Sequence, residues 1–96
     1  MNIYLQIGDR HTMELEASSF TAAMPEASQL YREYRDATGE GFRTFPIGHI
    51  LFGNEPLAEV SYNGKVWPLG GTAFPRDPSL QPLFDPAMKI SALPSR

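Results

Sequence analysis

The side chains best suited to moving a proton or holding a metal near neutral pH are His11 and His49. They stand far apart in unrelated elements, without the i, i+4 spacing of a helical metal pair, and the chain has no cysteine to add a thiolate. The simpler reading leaves His11 solvated beside a turn and His49 packed in a strand. A nucleophile would need a hydroxyl beside an oriented base. Ser61 flanks a hairpin turn but lacks a strand-to-helix elbow, and Ser18, Ser19 and Thr21 read as helix-capping residues. The carboxylate pairs Glu14/Glu16 and Glu33/Asp36 fall on wet faces, whereas a catalytic dyad needs a cleft that perturbs its pKa values. Gly39-Glu40-Gly41 follows a helix, while a phosphate loop precedes one and aims its amides at the anion. The expectation is no catalytic set, no metal and no cofactor.

What remains is a mixture suited to contact: Arg35, Arg43, His49, Tyr62, Asn63, Lys65 and Trp67. Arginine with aromatics makes protein hot spots and also stacks on bases. Eight Lys and Arg against eleven Asp and Glu give a net charge of −3, which weighs against a nucleic-acid surface built on a general positive field. The competing reading is structural. Trp67 and Tyr62 would form the core beneath a helix, with Lys65 lying over Tyr62 at a hairpin tip.

The elements that must position these groups follow from periodicity. Ile3, Leu5 and Ile7 alternate with Tyr4 and Gln6, then Met13 and Leu15 with Thr12, Glu14 and Glu16, predicting a hairpin. A three-residue loop, Gly8-Asp9-Arg10, pairs Ile7 with His11, Leu5 with Met13 and Ile3 with Leu15, which keeps the apolar faces matched. From Phe20 the spacing becomes three or four: Phe20, Met24, Ala27, Leu30, Tyr31, Tyr34 and Ala37 form a helix stripe. Pro25 places the start of the regular helix at Pro25, after a lead-in over 18–24, and Gly39 caps its end. Arg32 and Asp36 are spaced as an exposed i, i+4 pair.

Phe45 to Phe52 is apolar on both faces and predicts a central strand, followed by a break at Gly53-Asn54-Glu55-Pro56 and a strand over 57–62. Asn63-Gly64 then reads as a two-residue type I′ loop into a short strand over 65–69. That register pairs Tyr62 with Lys65, Val60 with Trp67 and Ala58 with Leu69, setting Trp67 on the same face as Val60 and leaving Glu59, Ser61 and Val66 on the other. The predicted fold is α+β, with strand order ββαβββ in the sequence, four to five strands in an antiparallel sheet and one helix packed on a face. Residues 1–70 form the domain. Residues 71–96, with Pro75, Pro78, Pro82, Pro86 and Pro94 but also Phe74, Leu80, Leu83, Phe84, Met88 and Ile90, form an extended proline-rich tail that docks on the domain or on a partner.

A chain of 96 residues supports one core. Absent cysteine fits a reducing compartment, and no apolar run approaches a membrane span, so the expected location is cytoplasmic. Tyr34-Arg35-Asp36, Gly39-Glu40-Gly41, Phe45-Pro46 and the string Ser61-Tyr62-Asn63-Gly64-Lys65-Val66-Trp67 together resemble a family of short uncharacterised proteobacterial proteins found near phage and plasmid genes. The resemblance spans about residues 30 to 68. It implies a mobile-element accessory protein, one that blocks a host defence complex by covering its surface. The residues themselves lead to a non-enzymatic protein-binding module, with self-association through a strand edge or the tail as an extension. The alternative is a nucleic-acid-binding sheet using Arg35, Arg43, Lys65 and an exposed Tyr62.

Overall fold

A computed structural model of the chain describes residues 2–72 and 79–87. Strands β1 (Ile3–Ile7) and β2 (His11–Glu14) are followed by helix α1 (Phe20–Thr38), and then by β3 (Gly48–Phe52), β4 (Glu55–Val60) and β5 (Val66–Pro68). The five strands form one antiparallel sheet in the order β2-β1-β3-β4-β5, with α1 across one face, an α+β arrangement. No helix among the described residues is long and apolar enough to cross a membrane.

The first hairpin has the register that alternation predicts: Leu5 opposite Met13 and Ile7 opposite His11, with Leu15 N–H donating to Ile3 O. Ile3, Leu5 and Ile7 therefore all enter the core under α1, where they meet Leu15, Ala23, Ala27, Tyr31, Ile50, Ala58, Val60 and Val66. β3 is central, between β1 and β4, but shorter than the expected run from Phe45. Phe45 lies in a turn closed by its own N–H on Gly41 O, and it is buried through its ring rather than through sheet pairing.

α1 begins five residues before Pro25. The Ser19 side chain accepts from Ala22 N–H, capping the helix, and Phe20, Ala23, Met24 and Ala27 hold the first turns against the sheet. Pro25 removes one amide bond, and the Thr21 carbonyl it would have reached belongs to an exposed residue that water can serve, so packing outweighs the break. Arg32 does not pair with Asp36. Its Nε donates to Ser28 O, and its side chain lies over Gly64 of the last hairpin, while Asp36 pairs with Arg35.

The Asn-Gly hairpin departs from the predicted register by one residue. Val60 faces Val66, Glu59 faces Trp67 and Ala58 faces Pro68, and Ser61 N–H donates to Lys65 O across a three-residue loop, Tyr62-Asn63-Gly64. Asn63 Oδ1 accepts from the Ser61 hydroxyl and from Lys65 N–H, and Gly64 takes φ 89°, as a type I turn with a glycine bulge requires. The gain is the burial of two β-branched side chains, Val60 and Val66, under α1. The buried Ser28 hydroxyl donates to Gly64 O and ties helix to turn. Trp67 is buried too, at 4% exposure, but on the face away from the helix. The outer edge of β5 is occupied in part: Val66 N–H donates to Phe84 O, and Leu83 N–H donates to Val66 O. Of the proline-rich stretch, residues 73–78 and 88–96, with Phe74, Pro75, Pro78, Met88, Ile90 and Pro94, lie outside the described residues.

Candidate functional site

One end of the molecule gathers the loop after α1, the first hairpin turn and the last hairpin turn. Gly39, at φ 72°, ends the helix and donates to Arg35 O, which throws the following loop back over the C-terminal turn. Phe45 drops into the core with its ring edge-on to Tyr31 at 5.3 Å and tilted to Tyr34 at 5.9 Å. His11 stacks on the other side of Tyr34 at 5.2 Å. Outward from Phe45 the series continues to Tyr62 at 6.2 Å and from Tyr62 to Phe42 at 6.4 Å, each edge to face.

Three guanidinium groups lie against this ladder: Arg10 over Phe45 at 5.9 Å, Arg35 over Tyr62 at 5.1 Å and Arg43 over Phe42 at 5.8 Å. Two of them are held internally. Arg10 makes a bidentate pair with Glu40 and also donates to Thr44 O. That pair holds the Glu40 carboxyl below the ordinary carboxylate range and raises the Arg10 guanidinium. Arg35 Nη1 donates to Tyr62 O at 2.7 Å while the group also pairs with Asp36, and the Tyr62 hydroxyl donates to Glu40 O. Arg43 has no carboxylate partner among the described residues. Phe42 is 68% exposed, more than any other large apolar side chain described.

Of the residues singled out by sequence, Arg35, Arg43, Tyr62 and Asn63 therefore converge at this end. Lys65 sits at the same hairpin but turns to Asp85, 3.7 Å away, rather than lying over Tyr62. His49 and Trp67 lie on the opposite face of the sheet. There one row crosses all five strands, from Thr12 through Gln6, His49 and Glu59 to Trp67. Trp67 Nε1 donates to Ser61 Oγ, and its buried ring offers little surface to a partner.

His49 Nε2 is 3.9 Å from Glu59, beyond hydrogen-bond reach. The Glu59 oxygens accept instead from Gly70 N–H, Thr72 N–H and the Thr72 hydroxyl, so the carboxylate secures a loop rather than orienting the imidazole. Beside this row are two shallow depressions of about 520 and 360 Å³, which share Gln6, Leu51 and Asn54. His11, stacked on Tyr34, is on the helix side, so the sheet separates the two imidazoles. Among the described residues no group of three His, Asp or Glu side chains is placed to hold a metal.

Phe42, Arg10 and Glu40 were not among the sequence candidates. An apolar ring between Gly41 and Arg43, in a turn with no periodic partner, was the available signal for Phe42. Nothing local marks Arg10, whose partners are thirty or more positions away. No family model, no curated protein and no solved structure matches the chain.

Proposed function

We propose that this chain is a non-enzymatic protein-binding module that presents Phe42 and Arg43 to an apolar cleft edged with carboxylates on a partner protein. The observation that carries this reading is the exposed Phe42 ring, set edge to face against Tyr62 and covered on one side by Arg43. Beneath it, Arg35, Tyr62 and Glu40 are already locked to one another, so little order has to be gained on binding. The internal pairing of Arg10, Arg35 and Lys65 with acids favours a protein over a nucleic acid, because phosphate contacts need cations that are not already spent. The resemblance of residues 30–68 to proteins of mobile elements suits an accessory factor that covers a host protein.

The test is affinity capture with titration of the recovered partner. Phe42→Ala or Arg43→Glu is expected to cost about 2 kcal/mol of binding, about 30-fold in affinity. Circular dichroism and melting should stay unchanged, since neither side chain is buried. Equal affinity of wild type and Phe42→Ala, or salt-steep binding to DNA or RNA with no protein partner, would refute the reading.

A further inference from the structure

The backbone at the free edge of β2 has a direction that the neighbouring bonds determine. Gly53 N–H donates to Asn2 O and Gly8 N–H to Ile47 O, so the even-numbered residues of β1 bond to β3. Leu15 N–H donates to Ile3 O, so the odd-numbered ones bond to β2. In β2 the groups of His11 and Met13 are thus spent on β1, whereas the N–H and C=O of Thr12 and Glu14 point outward. β2 ends the sheet, both residues are exposed, and no described residue bonds to these four groups. β2 is short and carries one carboxylate, Glu14, but no proline, lysine or bulge blocks its outward backbone groups.

We propose that a second copy of this chain pairs antiparallel with β2 about a two-fold axis through Met13. A symmetric pairing must match outward-facing residues with one another, which leaves three registers. Thr12 opposite Thr12 uses only half of the four free groups within the strand. Glu14 opposite Glu14 sets two carboxylates together and calls on Glu16 N–H, which Glu26 Oε2 already accepts. Thr12 opposite Glu14 of the second copy satisfies all four groups on each chain and places each threonine hydroxyl beside a carboxylate. It also sets Met13 against Met13 on the helix side, where this half-buried side chain borders the core with Leu30 and Tyr34, so the two cores meet at the axis. On the opposite face, Thr12 lines the 520 Å³ depression with Tyr4, Gln6 and Leu51, and pairing joins the two depressions into one trough across a ten-stranded sheet.

The contact is small, so the dimer is concentration dependent. Sedimentation of the full chain from about 1 µM to about 1 mM should show a monomer–dimer equilibrium. Thr12→Pro removes an outward N–H at a position where an edge strand accepts proline, and should abolish the dimer with the melting curve retained. Because the chain has no native cysteine, Met13→Cys reads the register directly. Directly opposed residues in a pair that is not hydrogen bonded are about 4.5 Å apart at Cα, close enough for a disulfide. Dissolved oxygen should cross-link Met13→Cys quickly, and Thr12→Cys and Glu14→Cys slowly or not at all. A monomer at every concentration, a dimer that survives Thr12→Pro, or preferred cross-linking at 12 or 14 would each overturn the proposal.

Discussion

Tyr31→Ala is expected to destabilise the chain by about 3–5 kcal/mol, the range for removing a fully buried aromatic side chain. Tyr31 has no exposed surface and is the largest side chain buried to that degree. Its ring rests edge-on against Phe45, and its hydroxyl donates to Pro46 O at 2.8 Å, which fixes the chain where the loop after α1 turns into β3. Gly48 opens β3 at the point where that ring passes: a Cβ there would meet Tyr31 Cδ1 at 3.0 Å and Leu5 Cδ1 at 3.2 Å. The cavity left by alanine therefore lies between helix, loop and central strand, and rigid backbone on two sides limits collapse. For a domain of this size the melting temperature should fall on the order of 20 °C. Tyr31→Phe isolates the hydroxyl and should cost about 1–2 kcal/mol by leaving the Pro46 carbonyl short of a donor. Burial pushes the Tyr31 hydroxyl well above the ordinary phenol range, so it stays protonated and donating where an exposed phenol would ionise. A loss below about 1 kcal/mol for Tyr31→Ala in denaturant titration would show that this junction does not hold the core.

The two hairpins show what sequence can and cannot specify. In the first, Ile3, Leu5 and Ile7 on one strand and Met13 and Leu15 on the other allow a single loop length that puts all of them on the core face, and the structure has it. In the second, Asn63-Gly64 is compatible with a two-residue loop or with a type I turn and glycine bulge, and either register sets an apolar side chain opposite Val60, Trp67 in the first and Val66 in the second. Burial decides: the observed loop sends Val60 and Val66 under α1 and leaves Trp67 to Ser61 on the far side. Ser28 also reaches Gly64 O from the helix in this register, a tertiary contact with no local signature. The helix was legible from its stripe, but its start was not, because a proline penalty is read locally while the packing that offsets it is not. The same limit applies to the candidate site. Arg35 and Tyr62 stand out by type, yet Glu40, which accepts from Tyr62 and pairs with Arg10, and Arg10 itself join them only through the closing of the loop against the first hairpin.

Glu59→Ala should lower stability by about 2–3 kcal/mol at pH 7, and the loss should disappear in acid. The nearly buried carboxylate accepts from Gly70 N–H, Thr72 N–H and the Thr72 hydroxyl, so truncation strands three donors and frees the loop they belong to. Desolvation by itself would raise the Glu59 pKa. The Thr72 hydroxyl, the two backbone amides and the nearby His49 together outweigh it, and the carboxyl is held below its ordinary value of 4.5. A folded-state pKa below the unfolded one means that the unfolded chain takes up a proton first as pH falls. The contribution of Glu59 is therefore complete above about pH 4.5 and is lost progressively as pH falls through the lower, folded value. Paired urea titrations of wild type and Glu59→Ala from pH 7 downward should show two curves that converge below pH 4.5. Trp67 supplies a local reading, because Gly71 comes so close that a Cβ on it would lie 2.8 Å from Trp67 Cβ. Freeing the loop should admit water to the indole and shift its emission to the red in the native baseline, before global unfolding. Parallel stability curves down to pH 3, or unchanged emission in Glu59→Ala, would mean that the carboxylate does not hold this loop on the sheet.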